Sequence, residues 1–422
     1  MTFHITSVRA LEILDSRGRP TLAVRLTASD GHTTQARVPS GASTGAGEAV
    51  ELRDGDPRRY GGAGTSQAVA NVEGPIADAL NGRTFADLAE VDARLIAADG
   101  TPNKAALGAN AIIGVSMAAA RGFADTAGIP LWTFLSPDGG RPALPVPHFN
   151  VVNGGAHAPN RLDFQEFMIA PLGAPSFAEA VRAGAEVYAA LRHRLAADGH
   201  ATGLGDEGGF APDLARPDEV LETLVSAIAD AGYEAGRGGV AIALDPAANG
   251  FYAGGRYTVA DKVLSSAEMV EYYADLVDRF PIWSIEDGLA EDDWDGWVTL
   301  TRRLGEQVQL VGDDIFVTDP TIIRDASGRG VANAALIKLN QIGTVTETLE
   351  ALAVCREIGF AAMVSHRSGE TEDAFIADLS VGSGCGQIKS GAPARGERVA
   401  KYNRLLEIAH DEPGLPFGAQ AR

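Results

Sequence analysis

Hydrophobic and polar residues alternate in the first forty positions of the chain and then recur at helical spacing. Alternation is typical of half-buried strands, and a spacing of three to four residues is typical of amphipathic helices. We predict strands over residues 5–14, 21–26 and 33–38, followed by helices over residues 66–80, 85–97 and 104–126. Strands followed by helices indicate an α+β domain.

A different pattern begins near residue 143, where short apolar segments alternate with amphipathic ones. The predicted strands cover residues 240–245, 282–286, 308–313, 334–338, 361–365 and 386–389. The predicted helices cover residues 266–280, 294–304, 344–358 and 372–379. Repeated βα units indicate a parallel sheet, and six or more in a row favour a closed barrel.

A segment rich in proline and glycine, residues 137–147, separates the two patterns. We therefore predict an α/β protein with two domains. Residues 1–138 form an N-terminal α+β domain, and residues 139–422 form a C-terminal barrel of the (β/α)8 type.

The predicted barrel strands end in charged or polar residues. These residues are Asp245, Glu286, Asp313, Lys338, the run His366, Arg367 and Ser368, and Lys389. One charged residue after a strand usually only begins a solvated loop. In a βα barrel, however, all these ends face one mouth, where active sites form. A succession of acids followed by bases therefore predicts a site.

Three carboxylates without a cluster of cysteine or histidine suit a cation that prefers oxygen ligands, with magnesium first and manganese second. The alternative is a salt-bridge network of these acids with Lys338, Arg367 and Lys389. Lys338 is a candidate base, because nearby cations lower the pKa of a lysine. Arg367 and Ser368 offer the donors that a phosphate group requires.

Three loops supply further candidates. Glu207, in a glycine-rich loop at residues 205–210, is a second acid–base candidate, although such a loop also caps helices. Residues 40–47 are small and flexible, as in a lid that closes on substrate, or as in an ordinary surface turn. His157 and Glu166 fall near the first barrel strands, where a structural role is the alternative.

Composition excludes several classes of function. The formal net charge of −21 argues against nucleic acid or an anionic membrane as the main partner. Two cysteines are too few for a disulfide framework or a cysteine-based zinc site. No targeting segment is recognised near Met1, and the longest charge-free run of small and apolar residues, 105–120, is shorter than the ~20 residues of a membrane span. We expect a cytoplasmic protein without a membrane span.

Many long motifs, in order along nearly the whole chain, resemble the enolase family. They are EILDSRG (12–18), PSGASTG (39–45), ELRDGD (51–56), NKAALGANAI (103–112), NGGAHA (153–158), QEFMIAP (165–171), GDEGGFAP (205–212), SIED (284–287), VGDD (311–314), NQIGT (340–344), SHRSGETED (365–373) and APARGERVAKYN (392–403). The resemblance implies reversible dehydration of 2-phospho-D-glycerate to phosphoenolpyruvate, in glycolysis, by a homodimer or an octamer of dimers.

The resemblance also implies roles for the candidate residues. Asp245, Glu286 and Asp313 would hold one magnesium ion, and Ser43 on the lid would help to hold a second. Lys338 would remove the C2 proton, and Glu207 would protonate the leaving hydroxyl group, supported by Glu166 and His157. Arg367 and Ser368 would bind phosphate with His366 close by, and Lys389 would contact the substrate carboxylate.

Several positions depart from the family pattern, among them Gly47 beside the lid, Gly288, and residues 246–250. They leave open an enolase-like relative that acts on a phosphonate or carboxyphosphonate substrate. A non-catalytic binding protein is disfavoured, because the full set of ligands, base and acid is intact.

Overall fold

The computed structural model describes residues 2–41, 45–137 and 140–418. It opens with an antiparallel sheet in the order β3-β2-β1-β4. The strands are β1 (Phe3–Leu14), β2 (Pro20–Ala28), β3 (Thr33–Arg37) and β4 (Arg83–Phe85). The three predicted strands are confirmed with slightly shifted ends, and the short β4 was not predicted.

Helices cover one face of this sheet. They are α1 (Ser66–Asn71), a π-helical turn (Val72–Ile76), α2 (Ala77–Leu80), α3 (Leu88–Asp99), α4 (Ala109–Ala127) and α5 (Leu131–Phe134). A 3-10 turn (Tyr60–Gly62) precedes them. Pro75 lies inside the π turn, because proline cannot donate the hydrogen bond that a regular helix needs there. The predicted helix over residues 104–126 was wrong at its start, since Lys104 and Gly108 have positive φ angles.

The rest of the chain forms a closed barrel of eight strands in the order β11-β12-β13-β14-β15-β5-β6-β7. Its strands are β5 (Val146–Asn153), β6 (Glu166–Ala170), β7 (Ala241–Asp245), β11 (Ile282–Glu286), β12 (Gln309–Gly312), β13 (Ala334–Ile337), β14 (Ala361–Ser365) and β15 (Gly386–Lys389). A small separate sheet consists of β8 (Tyr252–Ala253), β9 (Arg256–Val259) and β10 (Lys262–Leu264).

Helices surround the barrel. They are α6 (Phe177–Ala197), α7 (Pro217–Asp230), α8 (Ser266–Arg279), α9 (Trp294–Leu304), α10 (Pro320–Arg329), α11 (Leu339–Ile342), α12 (Val345–Ile358), α13 (Phe375–Ser383) and α14 (Gly396–Asp411). Two 3-10 turns, Gly155–His157 and Ala248–Phe251, lie in loops. Caps explain several helix starts: the Ser176 and Thr344 side chains each accept a backbone N–H three residues on.

The barrel confirms the predicted fold class, but one strand runs against the expected direction. β6 is antiparallel to both β5 and β7. The chain returns from Asn153 to Glu166 without a crossover helix, and a parallel connection would have required one. As a result Glu166, the first residue of β6, pairs with Asn153 and with Asp245 at the ends of the neighbouring strands.

The predicted boundary between residues 138 and 139 lies outside the described residues, so the division into domains stays a prediction. Helix α3 and the loop between α3 and α4 contact the start of α12 through polar groups. Asp92 accepts from the Thr346 backbone at 3.0 Å, and Lys104 pairs with Glu347 at 2.9 Å. In the described part of the chain, no helix is both long and apolar enough to cross a bilayer.

Candidate active site

The predicted site residues that the structure describes meet in one buried region at the mouth of the barrel. All eleven are at most 9% exposed: His157, Glu166, Glu207, Asp245, Glu286, Asp313, Lys338, His366, Arg367, Ser368 and Lys389. Ser43, the remaining predicted residue, lies outside the described residues. Strand geometry explains the convergence, because most of these side chains lie at or next to the mouth ends of barrel strands.

Lys389 lies at the centre of one group of acids. Its Nζ atom is 2.7 Å from Glu286 Oε1, 3.1 Å from Asp245 Oδ2 and 3.2 Å from Glu166 Oε1. Burial opposes the charge of Lys389, but these carboxylates outweigh burial and raise the pKa of Lys389 well above its usual value. Burial and the neighbouring acids raise the pKa of Glu286 well above its usual value.

Lys338 forms a second ion pair beside the first group. Its Nζ donates to Asp313 Oδ2 at 2.5 Å, and the side chain of Gln341 donates to Asp313 Oδ1 at 2.8 Å. The Thr318 hydroxyl accepts from the Lys338 backbone and donates to Gln341. Burial alone would lower the pKa of Lys338, but Asp313 outweighs it and raises that pKa. The ammonium form therefore prevails in this arrangement.

The salt-bridge network that the sequence left open as an alternative is thus present in part, since each of the three acids proposed as metal ligands has a lysine partner. Arg367, the third predicted member of that network, pairs with Glu48 instead. Two carboxylate oxygens of the site, Glu166 Oε2 and Glu286 Oε2, are buried and have no hydrogen-bond partner among the residues that the structure describes. A buried acceptor without a partner costs about 1–3 kcal/mol, and more when it is charged. Oxygen ligands in this state fit a hard divalent cation.

Two groups of three side chains have ligand atoms within 4.8 Å of one another among the described residues. One is His157, Glu166 and Glu207, and the other is Asp287, Asp313 and Asp314. Asp287 and Asp314 were not predicted from the sequence, although each directly follows a predicted ligand. Asp287 accepts the backbone N–H groups of Asp313 and Asp314 at 2.8 and 2.9 Å, and therefore braces the strand end that carries Asp313.

The glycine-rich loop places Glu207 opposite two histidines. Glu207 Oε2 accepts from Asn150 at 2.9 Å and lies 3.4 Å from His366 Nε2, while Oε1 lies 3.7 Å from His157 Nε2. Burial raises the pKa of Glu207, but His157, His366 and Arg398 outweigh burial and lower that pKa well below its usual value. Glu207 is therefore ionised in this arrangement.

The predicted phosphate-binding arginine has a carboxylate partner that the sequence did not reveal. Arg367 Nη2 lies 3.0–3.1 Å from both oxygens of Glu48, and Nη1 lies 3.1 Å from Glu48 Oε2 and 2.7 Å from Asn340 Oδ1. Ser368 Oγ is 3.1 Å from His157 Nε2. Glu48 directly follows the predicted lid at residues 40–47, and this adjacency was the available signal.

The positions that depart from the family pattern have local structural roles. The Asn249 side chain donates to Asp314 Oδ2 and accepts from the Glu291 backbone, both at 2.9 Å. A β-carbon at Gly288 would lie 3.2 Å from Ile285, so this position allows close packing behind β11. A β-carbon at Gly47 would lie 3.1 Å from Val317.

Two family models match the chain. Residues 5–135 match the enolase N-terminal domain, and residues 141–414 match the enolase C-terminal TIM barrel domain. Similar proteins include the enolase of Rubrobacter xylanophilus, 57% identical over 96% of this chain and 94% of that protein. The enolase of Acidothermus cellulolyticus is 56% identical over 96% and 94%, and enolase 1 of Methylococcus capsulatus is 54% identical over 97% and 98%.

Proposed function

The chain belongs to the enolase family, and from this premise we propose that it is a phosphopyruvate hydratase. This lyase interconverts 2-phospho-D-glycerate and phosphoenolpyruvate, and we place its reaction in glycolysis. The observation that carries the proposal is the meeting of two buried lysines, Lys338 and Lys389, with the carboxylates of Asp245, Glu286 and Asp313 at one mouth. Such a group suits the formation of a doubly charged enolate.

Removal of a proton next to a carboxylate is difficult, because the intermediate carries a second negative charge. Lys338 is our proposed base for the C2 proton. Asp313 holds Lys338 as an ammonium ion in this arrangement. A base must be neutral, so we infer that Asp313 changes partner before Lys338 acts. Lys389 would stay charged and stabilise the substrate carboxylate as negative charge develops on it.

Two magnesium ions are the cofactor we propose. Asp245, Glu286 and Asp313 would hold the first, and Ser43 would help to hold the second. Glu286 Oε2 supports this assignment: no described residue forms a hydrogen bond with it, and it is buried among acids whose repulsion a cation would relieve. When bound, divalent ions supply positive charge to the developing enolate.

The opposite side of the site would expel the hydroxyl group. Hydroxide is a poor leaving group, so an acid must protonate it, and we assign that role to Glu207. The neighbouring histidines and Arg398 hold the pKa of Glu207 low, so we infer that Glu207 must gain a proton before it acts. His157 lies between the two carboxylates, with Nε2 3.7 Å from Glu207 Oε1 and Nδ1 3.9 Å from Glu166 Oε1, and we propose that His157 and Glu166 support the acid.

Arg367 and Ser368 are our proposed phosphate ligands, with His366 close by. Glu48 now contacts the Arg367 guanidinium, as an anionic group at this position would. We infer that substrate phosphate takes over donors that Glu48 engages. Arginine suits this exchange, because its planar guanidinium donates two parallel hydrogen bonds to a carboxylate or to a phosphate in the same geometry.

The phosphonate alternative is not favoured, because the similar proteins are named enolase over nearly their whole length. We further propose a cytoplasmic homodimer, or an octamer of dimers, in which residues 1–138 cap the barrel. The partner of the site is then a small phosphorylated carboxylate, with neither nucleic acid nor a membrane involved.

Steady-state assay of the purified protein with 2-phospho-D-glycerate and magnesium tests the proposal. We expect ultraviolet absorbance from the enol product to grow, and to stop growing when a chelator removes the metal. A phosphonate analogue of the substrate, assayed in parallel, should be turned over far more slowly. A protein inert toward 2-phospho-D-glycerate but active on the analogue would contradict the proposal.

A further inference from the structure

Arg398 is a buried arginine behind the site, in a motif to which the proposed function assigns no role. It belongs to the first turn of α14 and is fully buried. Its aliphatic part lies against Gly391, where a β-carbon would come within 2.8 Å of Arg398 Cδ. The absence of a side chain at residue 391 therefore lets the guanidinium reach the loops of the site.

The guanidinium joins the two loops that carry the proposed phosphate ligands and the proposed acid. Nη1 donates to the Arg367 carbonyl at 2.7 Å, and Nη2 donates to the Ser368 carbonyl at 2.6 Å. Nη2 also donates to the carbonyl of Asp206, next to Glu207, at 3.2 Å. A planar guanidinium with several N–H donors can bind the backbones of both loops at once and thereby fix the distance between them.

The same guanidinium determines where His366 carries its proton. Arg398 Nη1 lies 2.5 Å from His366 Nδ1. Arginine has no acceptor and stays charged, so Nδ1 must offer a lone pair and the ring proton must lie on Nε2. His366 Nε2 is 3.4 Å from Glu207 Oε2. The N–H of His366 is thereby presented to the proposed acid.

Hydrogen bonds from the next turn of α14 fix the position of this helix. Lys401 Nζ donates to Glu370 Oε2 at 2.8 Å and to the Thr371 carbonyl at 2.6 Å, in the segment that follows Ser368. The Tyr402 hydroxyl donates to the Gly391 carbonyl at 2.8 Å. These bonds hold the helix against the loops, so Arg398 acts from a rigid support.

We propose that Arg398 is a positioning residue that fixes His366 in the Nε2–H tautomer facing Glu207 and sets the separation of the two loops. The role given to Glu207 rests on the proposed function, whereas the tautomer does not. We expect loss of a residue that orients a functional side chain in this way to change activity by about 10- to 100-fold.

Nitrogen NMR of the wild-type protein, labelled with 15N-histidine, tests the tautomer without substrate. The His366 signal is identified by its loss in His366→Gln. We expect an unprotonated Nδ1 and a protonated Nε2 for this ring. A His366 ring protonated at Nδ1 would overturn the proposal, even if the protein were fully active on 2-phospho-D-glycerate. An inactive protein with the expected tautomer would overturn only the proposed function.

Arg398→Lys tests the positioning role, with Arg404→Lys as the matched control. Arg404 lies on the same helix and pairs with Asp378, away from the site. We expect a folded Arg398→Lys protein with kcat lower by about 10- to 100-fold and a mixture of His366 tautomers, while Arg404→Lys keeps wild-type kcat and signals. Wild-type kcat in folded Arg398→Lys, or a lower kcat with an unchanged tautomer, would contradict the proposal. If Arg398→Lys does not fold, the His366 tautomer in the NMR spectrum of the wild-type protein still tests the proposal.

Discussion

Both carboxylate oxygens of Glu48 lie 3.0–3.1 Å from the guanidinium of Arg367, so the segment that follows the proposed lid contacts the proposed phosphate site directly. Glu48 also accepts from the Gln341 side chain at 3.2 Å, and Gln341 donates to Asp313. One carboxylate therefore links the phosphate side of the mouth to the proposed metal side. Substrate binding and rearrangement of residues near the lid are then expected to be coupled.

Glu48→Gln should strengthen the binding of inorganic phosphate. The substitution removes a negative charge beside Arg367 and weakens the contact with which phosphate competes. We expect the dissociation constant for phosphate, measured by isothermal titration calorimetry, to fall by roughly three- to tenfold, or about 0.7–1.4 kcal/mol. Glu372→Gln is the control, since Glu372 pairs with Arg37 at an exposed site. Weaker phosphate binding by Glu48→Gln would show that Glu48 supports the phosphate site instead of competing for it.

Magnesium should stabilise the fold through Glu286. An ion that binds only the native state at 100 times its dissociation constant adds about 2.7 kcal/mol to the free energy of unfolding. We expect the melting temperature of the wild-type protein to rise with magnesium concentration and that of Glu286→Gln to stay nearly constant. Asp213→Asn, at an exposed ion pair with Arg161, should respond as the wild type does. If the melting temperature of Glu286→Gln rose with magnesium concentration as much as that of the wild type, Glu286 would not be a magnesium ligand.

Asp92 should make stability depend on pH at the contact between α3 and α12. Burial raises its pKa from 3.8 to about 6, although Thr346 donates to the carboxylate. The native state then binds more protons than the unfolded state between these values, so stability falls as pH rises from about 4 to about 6. The loss is on the order of 2–3 kcal/mol.

Asp92→Asn removes this titration. We therefore expect the melting temperature of Asp92→Asn, relative to wild type, to shift upward as pH rises from 4 to 7. A difference between Asp92→Asn and wild type that does not change with pH would show that Asp92 titrates normally in the folded protein.

Much of the fold could be predicted because its barrel strands are short apolar runs that end in charged residues. Asp245, Glu286 and Lys389 were predicted to converge from this pattern alone, and the structure brings them together around one ammonium group. The direction of β6 could not be predicted, because it depends on how the barrel closes and not on the composition of residues 166–170. The prediction also placed the start of α4 too early, because the positive φ angles of Lys104 and Gly108 are a local backbone feature that the hydrophobic pattern does not show.

The details of the site were harder to predict than its location. Asp287 and Asp314 were overlooked because each directly follows a residue that was a stronger candidate. Only the structure shows that Asp287 accepts hydrogen bonds from the backbone N–H groups of Asp313 and Asp314, just after β12. Glu48 and Arg398 are far from Arg367 in sequence, so their contacts with it depend on tertiary packing. Long-range contacts of this kind leave no periodic signal in a single sequence.

Exchange of the C2 hydrogen of 2-phospho-D-glycerate in deuterated water, followed by proton NMR in the presence of magnesium, tests the central claim most directly. It separates the proposed base from the proposed acid. Glu207→Gln should still exchange this hydrogen while dehydrating slowly, and folded Lys338→Ala should lose exchange and dehydration by about 10²–10⁴-fold. Exchange at the wild-type rate in Lys338→Ala would contradict the account, because another group would then remove the proton.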